Sequence, residues 1–147
     1  MRHRVFNYIT RGQQLLLLRY PDGRYLLPQI PGGTVKKDET PSKAALREAK
    51  EETGLEAIRL VRCLGSFKRD LSGIGRNETI MAWFFHLQTD EQTPNSWRHF
   101  ETEPSEGGDT IEFELFWVPL SAIPSLGGID ECLIEELHAS VQSLTSV

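Results

Sequence analysis

Residues 31–55, PGGTVKKDETPSKAALREAKEETGL, constrain the fold of this chain more than any other stretch. Their second half predicts a helix. Thr40 suits the N-cap, Pro41 the first helical position and Gly54 the C-terminal cap. Between those limits lie mostly Ala, Leu, Lys, Arg and Glu, which are strong helix formers. On such a helix Glu48, Glu51 and Glu52 stand at i, i+3 and i+4, so their carboxylates share one face.

That acidic face has a cost. Like charges at this spacing destabilise an isolated helix by roughly 0.2–0.5 kcal/mol per pair. A lone EAKEE run reads most simply as a solvated face. Here the helix follows a Gly-Gly turn and a separate acid, Glu39, and Arg47 stands beside the cluster, where it can hold a carboxylate. Three oxygen-bearing side chains on one rigid face suit a hard divalent cation such as Mg²⁺, which keeps coordination sites for water and substrate phosphates. The compensating charge is then the metal.

The stretch resembles the signature of the Nudix hydrolases: Gly, five residues, Glu, seven residues, Arg-Glu, an aliphatic residue, any residue, Glu-Glu, any residue, Gly, aliphatic. Gly33, Glu39, Arg47, Glu48, Glu51, Glu52 and Gly54 match every fixed position. At average composition seven such matches arise by chance about once in 10⁹ trials. Ala49 departs from the pattern, standing where a larger aliphatic is usual, and is expected to loosen packing there.

The remainder of the sequence sets bounds. At 147 residues the chain is expected to be one domain, 1–147, with a core that needs no staples. Its 39% hydrophobic and 25% charged content is ordinary for a soluble globular protein. The net charge of −5 argues against nucleic acid as the default partner, because no basic stripe replaces counterions. It does not exclude a phosphorylated substrate, since a bound metal reverses the sign locally. Cys63 and Cys132 show no CxxC spacing and read as reduced thiols, in the core or at the surface. The start, MRHRVFNYIT, is too polar for a signal peptide and no apolar run approaches a membrane span, so a cytoplasmic location is expected.

In chain order, strands are predicted at 5–10, 14–20 and 56–68, with a short one at 25–27. Further strands are predicted at 78–88 and 110–118, the last from the alternation of Ile111, Phe113, Leu115 and Trp117. Residues 97–100 are ambiguous, and 69–77, 89–95 and 101–109 read as connections. A second helix is predicted over 129–144 from Leu133, Leu137 and Val141. Strands with two helices fit α+β or a mixed sheet between helices. The resemblance implies the latter, an α/β/α sandwich.

The resemblance further implies hydrolysis of a diphosphate bond in a nucleoside diphosphate linked to another moiety, with Mg²⁺ (Mn²⁺ substituting) as cofactor. Glu48, Glu51 and Glu52 become metal ligands, joined by the Gly32 carbonyl, and Arg47 orients the glutamates. Gly33 and Gly54 serve the turn and the cap. Glu39 supports the loop through a hydrogen bond, or is a plain surface acid. A further acid, as ligand or general base, is sought before or in the last strand among Glu106, Asp109, Glu112 and Glu114. Glu112 is preferred, because it stands near the strand's start on the face opposite Phe113. Lys68, Arg69 and Arg76 are candidates to grip a phosphate, against a plainer role as scattered surface cations. His99 is a weaker candidate for base or stacking partner, and His86, in an apolar strand, reads as a satisfied core or edge histidine. The family's Tyr or Pro marker for dinucleoside polyphosphates and ADP-ribose, about sixteen residues past the last glycine, is missing from FKRDLS at 67–72. The alternative function is a catalytically silent nucleotide sensor, which has no need of the full charged set. An isomerase of the same fold would want a cysteine near the site. The oligomeric state is expected to be monomer or homodimer.

Overall fold

The computed structural model describes residues 1–101 and 110–145. Its strands are β1 (Arg2–Arg11), β2 (Gln14–Arg19), β3 (Gly32–Thr34), β4 (Ile58–Asp70), β5 (Thr79–Thr89), β6 (Ser96–Glu101) and β7 (Ile111–Pro119). Its helices are α1 (Pro41–Thr53) and α2 (Ile134–Thr145). The strands form one mixed sheet in the order β4-β5-β1-β2-β7-β6, with β3 paired to β1. Among the described residues only β1 and β5 run parallel, in register from Arg2↔Ile80 to Thr10↔Gln88.

Alternation along the strands separates two apolar faces. Val5, Ile9, Leu16, Leu18, Phe85, Leu87, Phe113 and Leu115 pack with Ala44, Ala45 and Ala49 of α1. Phe6, Tyr8, Leu15, Leu17, Phe84 and Ile80 pack with Leu137 and Val141 of α2. The sheet between two helices is the sandwich expected from the sequence. All three α1 alanines are fully buried, Ala49 included. Small side chains there let the helix backbone lie close to the sheet.

His86 joins the layers from inside. Its Nδ1 lies 2.6 Å from Ser140 Oγ on α2, and its Nε2 lies 2.8 Å from Thr10 Oγ1. Burial, with a smaller effect of Arg62, lowers its pKa to about 4, so the ring is neutral at pH 7.

Several boundaries differ from the sequence expectation. Residues 25–27 form no strand: they follow the Tyr20–Gly23 turn, Leu26 is almost fully exposed, and the chain rejoins β2 only at the single bridge Leu18↔Gln29. Residues 96–101 are a strand, because their backbone pairs with β7 from Ser96↔Phe116 to Glu101↔Ile111. β4 runs on to Asp70, whose carboxylate caps the short 3₁₀ turn Leu71–Ile74. The second helix begins at Ile134, not Ile129. Before it, Gly128 takes a positive φ of 61° and Asp130 turns its side chain inward to the backbone N–H of Ile30, at 2.8 Å. Both cysteines are free and exposed.

The site is positioned by a gap in the sheet. β1 and β2 pair only at Thr10↔Leu15 and Arg11↔Gln14, and then diverge. The segment from Gln29 to Val35 fills the opening, bonded to β2 through Gln29 and to β1 through Pro31 O (2.8 Å from Asn7 N) and Val35 N (2.9 Å from His3 O). The Gly-Gly pair therefore lies between β1 and helix α1.

Candidate active site

Helix α1 is built as its sequence dictates. Thr40 Oγ1 accepts the Lys43 N–H at 3.3 Å, Pro41 begins the helix, and Gly54 ends it at φ 76° with its N–H on Lys50 O. Gly54 carries a second constraint, since a Cβ there would sit 2.9 Å from the His99 ring. Adopting a left-handed conformation costs an ordinary residue about 1–2 kcal/mol. Gly54→Ala is therefore expected to lower the unfolding free energy by at least about 1 kcal/mol in urea titrations, with His99 displaced.

Arg47 gathers the acids. Its Nε and Nη2 grip Glu39 at 2.8 and 2.9 Å, its Nη1 donates to Glu48 at 2.8 Å and to Glu51 at 3.3 Å, and Nη2 also reaches Thr34 O at 3.0 Å. The bidentate bond to Arg47 holds the Glu39 carboxyl down to about 2, and the same bond keeps Arg47 charged. Glu39 Oε1 also accepts the Lys36 N–H at 3.0 Å. It thus ties the loop before the helix to the helix's own arginine.

Glu48 and Glu52 are nearly buried, at 3% and 5% exposure, whereas the Glu51 side chain is 42% exposed. Burial raises the Glu48 pKa against the opposing pull of Arg47. Glu52 Oε1 accepts the Gly32 N–H at 2.9 Å. The two glycines are required for different reasons. A Cβ on Gly32 would strike the Val5 carbonyl of β1, and one on Gly33 would fall on the Glu48 carboxylate. The loop backbone is thereby held against the acid face of the helix.

The donor set fits a hard divalent cation. It is all oxygen, it contains a buried carboxylate whose charge burial disfavours, and Gly33 leaves open the space over that carboxylate that any side chain would fill. Among the described residues no three acidic, His or Cys side chains converge on one point, because Arg47 and the Gly32 N–H hold the carboxylates separately.

The other expected site residues are placed elsewhere. Glu112 stands on the sheet face opposite Phe113 and bonds Arg98 at 2.9 Å, not a residue of α1. Glu114 pairs with Arg19 at 2.9 Å. Glu106 and Asp109 lie outside the described residues. Lys68 is exposed at the end of β4. Arg69 lies over the Phe67 ring and reaches Cys132 Sγ at 2.9 Å. Arg76 lines an open depression of about 480 Å³ with Arg2, Asn77 and Glu78. Two residues without an assigned role from sequence also belong to this neighbourhood. Asp130 anchors Ile30, two positions before the Gly-Gly pair, and Arg4 stands on β1 opposite Thr34. A period-2 reading of β1 carries the signal for Arg4, since it shares a face with Phe6 and Tyr8, both in the core.

A family model described as NUDIX domain matches residues 1–137. The chain belongs to the Nudix hydrolase family. Among curated Nudix relatives, RNA pyrophosphohydrolases of Brucella ovis and Brucella melitensis are 32% identical over 116 residues. The match takes in 71% of this chain and 62% of theirs, so the chain spans less than two thirds of their length. Among solved structures, a UDP-X diphosphatase superposes with a TM-score of 0.67 at 20% identity, over 97% of this chain and 64% of the other. A MutT NUDIX hydrolase from Burkholderia pseudomallei gives 0.66 at 23%, over 92% and 97%. These likenesses establish the Nudix fold. No helix among the described residues is long and apolar enough to cross a membrane.

Proposed function

We propose that the chain hydrolyses a diphosphate bond in a nucleoside diphosphate derivative, with Mg²⁺ held by Glu48, Glu51, Glu52 and the Gly32 carbonyl. The observation that carries this reading is the packing of Gly32 and Gly33 against Glu52 and Glu48 while Arg47 restrains Glu48 and Glu51. Every part of the signature is engaged in one arrangement, which a binding module has no need to maintain.

A diphosphate carries negative charge that repels a nucleophile, and a bound divalent cation would neutralise it and acidify water. The protein's own contribution is orientation. Arg47 fixes Glu48 from one side and Glu39 fixes Arg47 from the other, so the Glu48 carboxylate is oriented before substrate arrives. Glu51 is the most exposed of the three and has the longest contact to Arg47, which suits it to accept the proton of the attacking water.

The names of the Brucella relatives favour a second substrate, the 5′ phosphates of RNA, and the net charge of −5 weighs against it. Product release should be followed across nucleotide sugars, dinucleoside polyphosphates, nucleoside triphosphates and a 5′-triphosphorylated oligoribonucleotide, with Mg²⁺, Mn²⁺ or chelator. Metal-dependent turnover of one class is the expected result. Turnover of none, with a nucleotide raising the melting temperature, would replace the enzyme with a sensor.

A further inference from the structure

We infer that Arg4 is a substrate-binding residue whose guanidinium takes an oxygen of the substrate's phosphate chain beside Glu52. The inference rests on the diphosphate reading above and adds to it a binding group outside the signature. Arg4 pairs in register with Thr34 of β3 on one side and Ala82 of β5 on the other, so its side chain leaves β1 beside the Gly-Gly strand. It projects to the face of Phe6, over whose ring its guanidinium lies at 5.6 Å from the centroid.

The Arg4 Nε is buried and has no hydrogen-bond partner among the described residues. Arg69 has the same buried Nε, but its Nη2 reaches Cys132 Sγ, and Arg2 on the same strand as Arg4 holds Glu78 at 2.8 Å; Arg4 makes no such bond to a described residue. A buried, unpaired donor on a cation is costly and calls for an anionic acceptor. Burial and the charges of Arg2 and Arg76 push the Arg4 pKa down, while Glu52 and Asp130 pull it up. Arg4 therefore lies in the field of a signature carboxylate, and the arginines that act on it line the open depression described above. Planar, forked donors match phosphate geometry, and Arg4 gives a phosphate chain a counter-charge next to the signature carboxylates.

The test uses inorganic pyrophosphate as the probe, with the melting temperature as readout in Mg²⁺, on wild type and Arg4→Gln. Mn²⁺ alone serves as the control titration. A charge-assisted bond of this kind is expected to move the pyrophosphate midpoint by about 10- to 100-fold, with the Mn²⁺ midpoint level or lower, because losing a cation near Glu52 does not weaken metal binding, and KM raised more than kcat is lowered. If Arg4→Gln fails to fold, Arg4→Lys, which keeps the charge and the stem but not the fork, should still move the midpoint several-fold. An unchanged pyrophosphate midpoint in whichever variant folds overturns the proposal, as does a wild type that pyrophosphate does not stabilise. Neither result touches the hydrolase reading, which stands or falls on wild-type turnover.

Discussion

Glu52→Gln is expected to lower turnover by about 10²- to 10³-fold or more while leaving the fold intact. Glu52 is 5% exposed and its Oε1 accepts the Gly32 N–H at 2.9 Å. A glutamine offers a carbonyl oxygen of the same reach, so the loop keeps its bond to the helix. What it cannot offer is charge to a cation, and the loss is expected chiefly in the chemistry. Removing a buried acid relieves a desolvation cost and also takes a negative charge from the field of Arg4, so the melting temperature should change little. The measurement is kcat on the best substrate of the panel, alongside thermal unfolding. Retained activity would remove Glu52 from the metal site.

Asp130→Asn should erase a pH dependence of stability that wild type shows between about pH 4 and about pH 7. Burial lifts the Asp130 pKa from 3.8 to about 7, against the pull of the Ile30 N–H and Arg4. In that window the folded protein holds a proton that the unfolded chain has released. Stability from this group is therefore complete below pH 4 and falls as pH rises towards 7, by up to roughly 4 kcal/mol at 1.36 kcal/mol per pKa unit. Asparagine keeps an acceptor for Ile30 and has no proton to lose. Urea midpoints at pH 4.5, 6 and 8 should converge for the variant and decline for wild type, with the variant the more stable at pH 8. Glu39 acts in a separate window, since its contribution disappears only as pH falls from about 4.5 to about 2. A wild type with the same slope as Asp130→Asn would mean that Asp130 is ionised in the fold.

Local chemistry made much of this structure legible in the sequence. Thr40, Pro41 and Gly54 bound α1 because capping is a property of a few adjacent residues. The alternation from Ile111 to Trp117 gave β7 its buried face because one side of that strand meets α1. What sequence left open depends on contacts between distant segments. Asp130 reads as the acid of a continuing helix until the Ile30 N–H is brought to it across the fold. Residues 96–101 are a strand because β7 pairs with them. Arg4 reads as a polar residue at a strand's start, and the pairing with β3 and β5 is what makes its position a half-buried one. The signature supplied the carboxylates, but the group we assign to the phosphate chain lies outside it.

The parallel pairing of β1 with β5 bears on how the chain is made. β1 is made before the other strands of its sheet and lies inside the finished sheet, yet the strand that covers one of its edges ends only at Thr89. Until then its unpaired backbone and the apolar side chains of Val5, Phe6 and Ile9 have no partner on that side. Parallel pairing across so long a loop is slow to form, because the loop-closure entropy must be met before the contacts repay it. Nascent chains halted before β5 should therefore be the ones that chaperones hold and that aggregate when released, whereas pairing of β4 with β5 needs only a short loop to close.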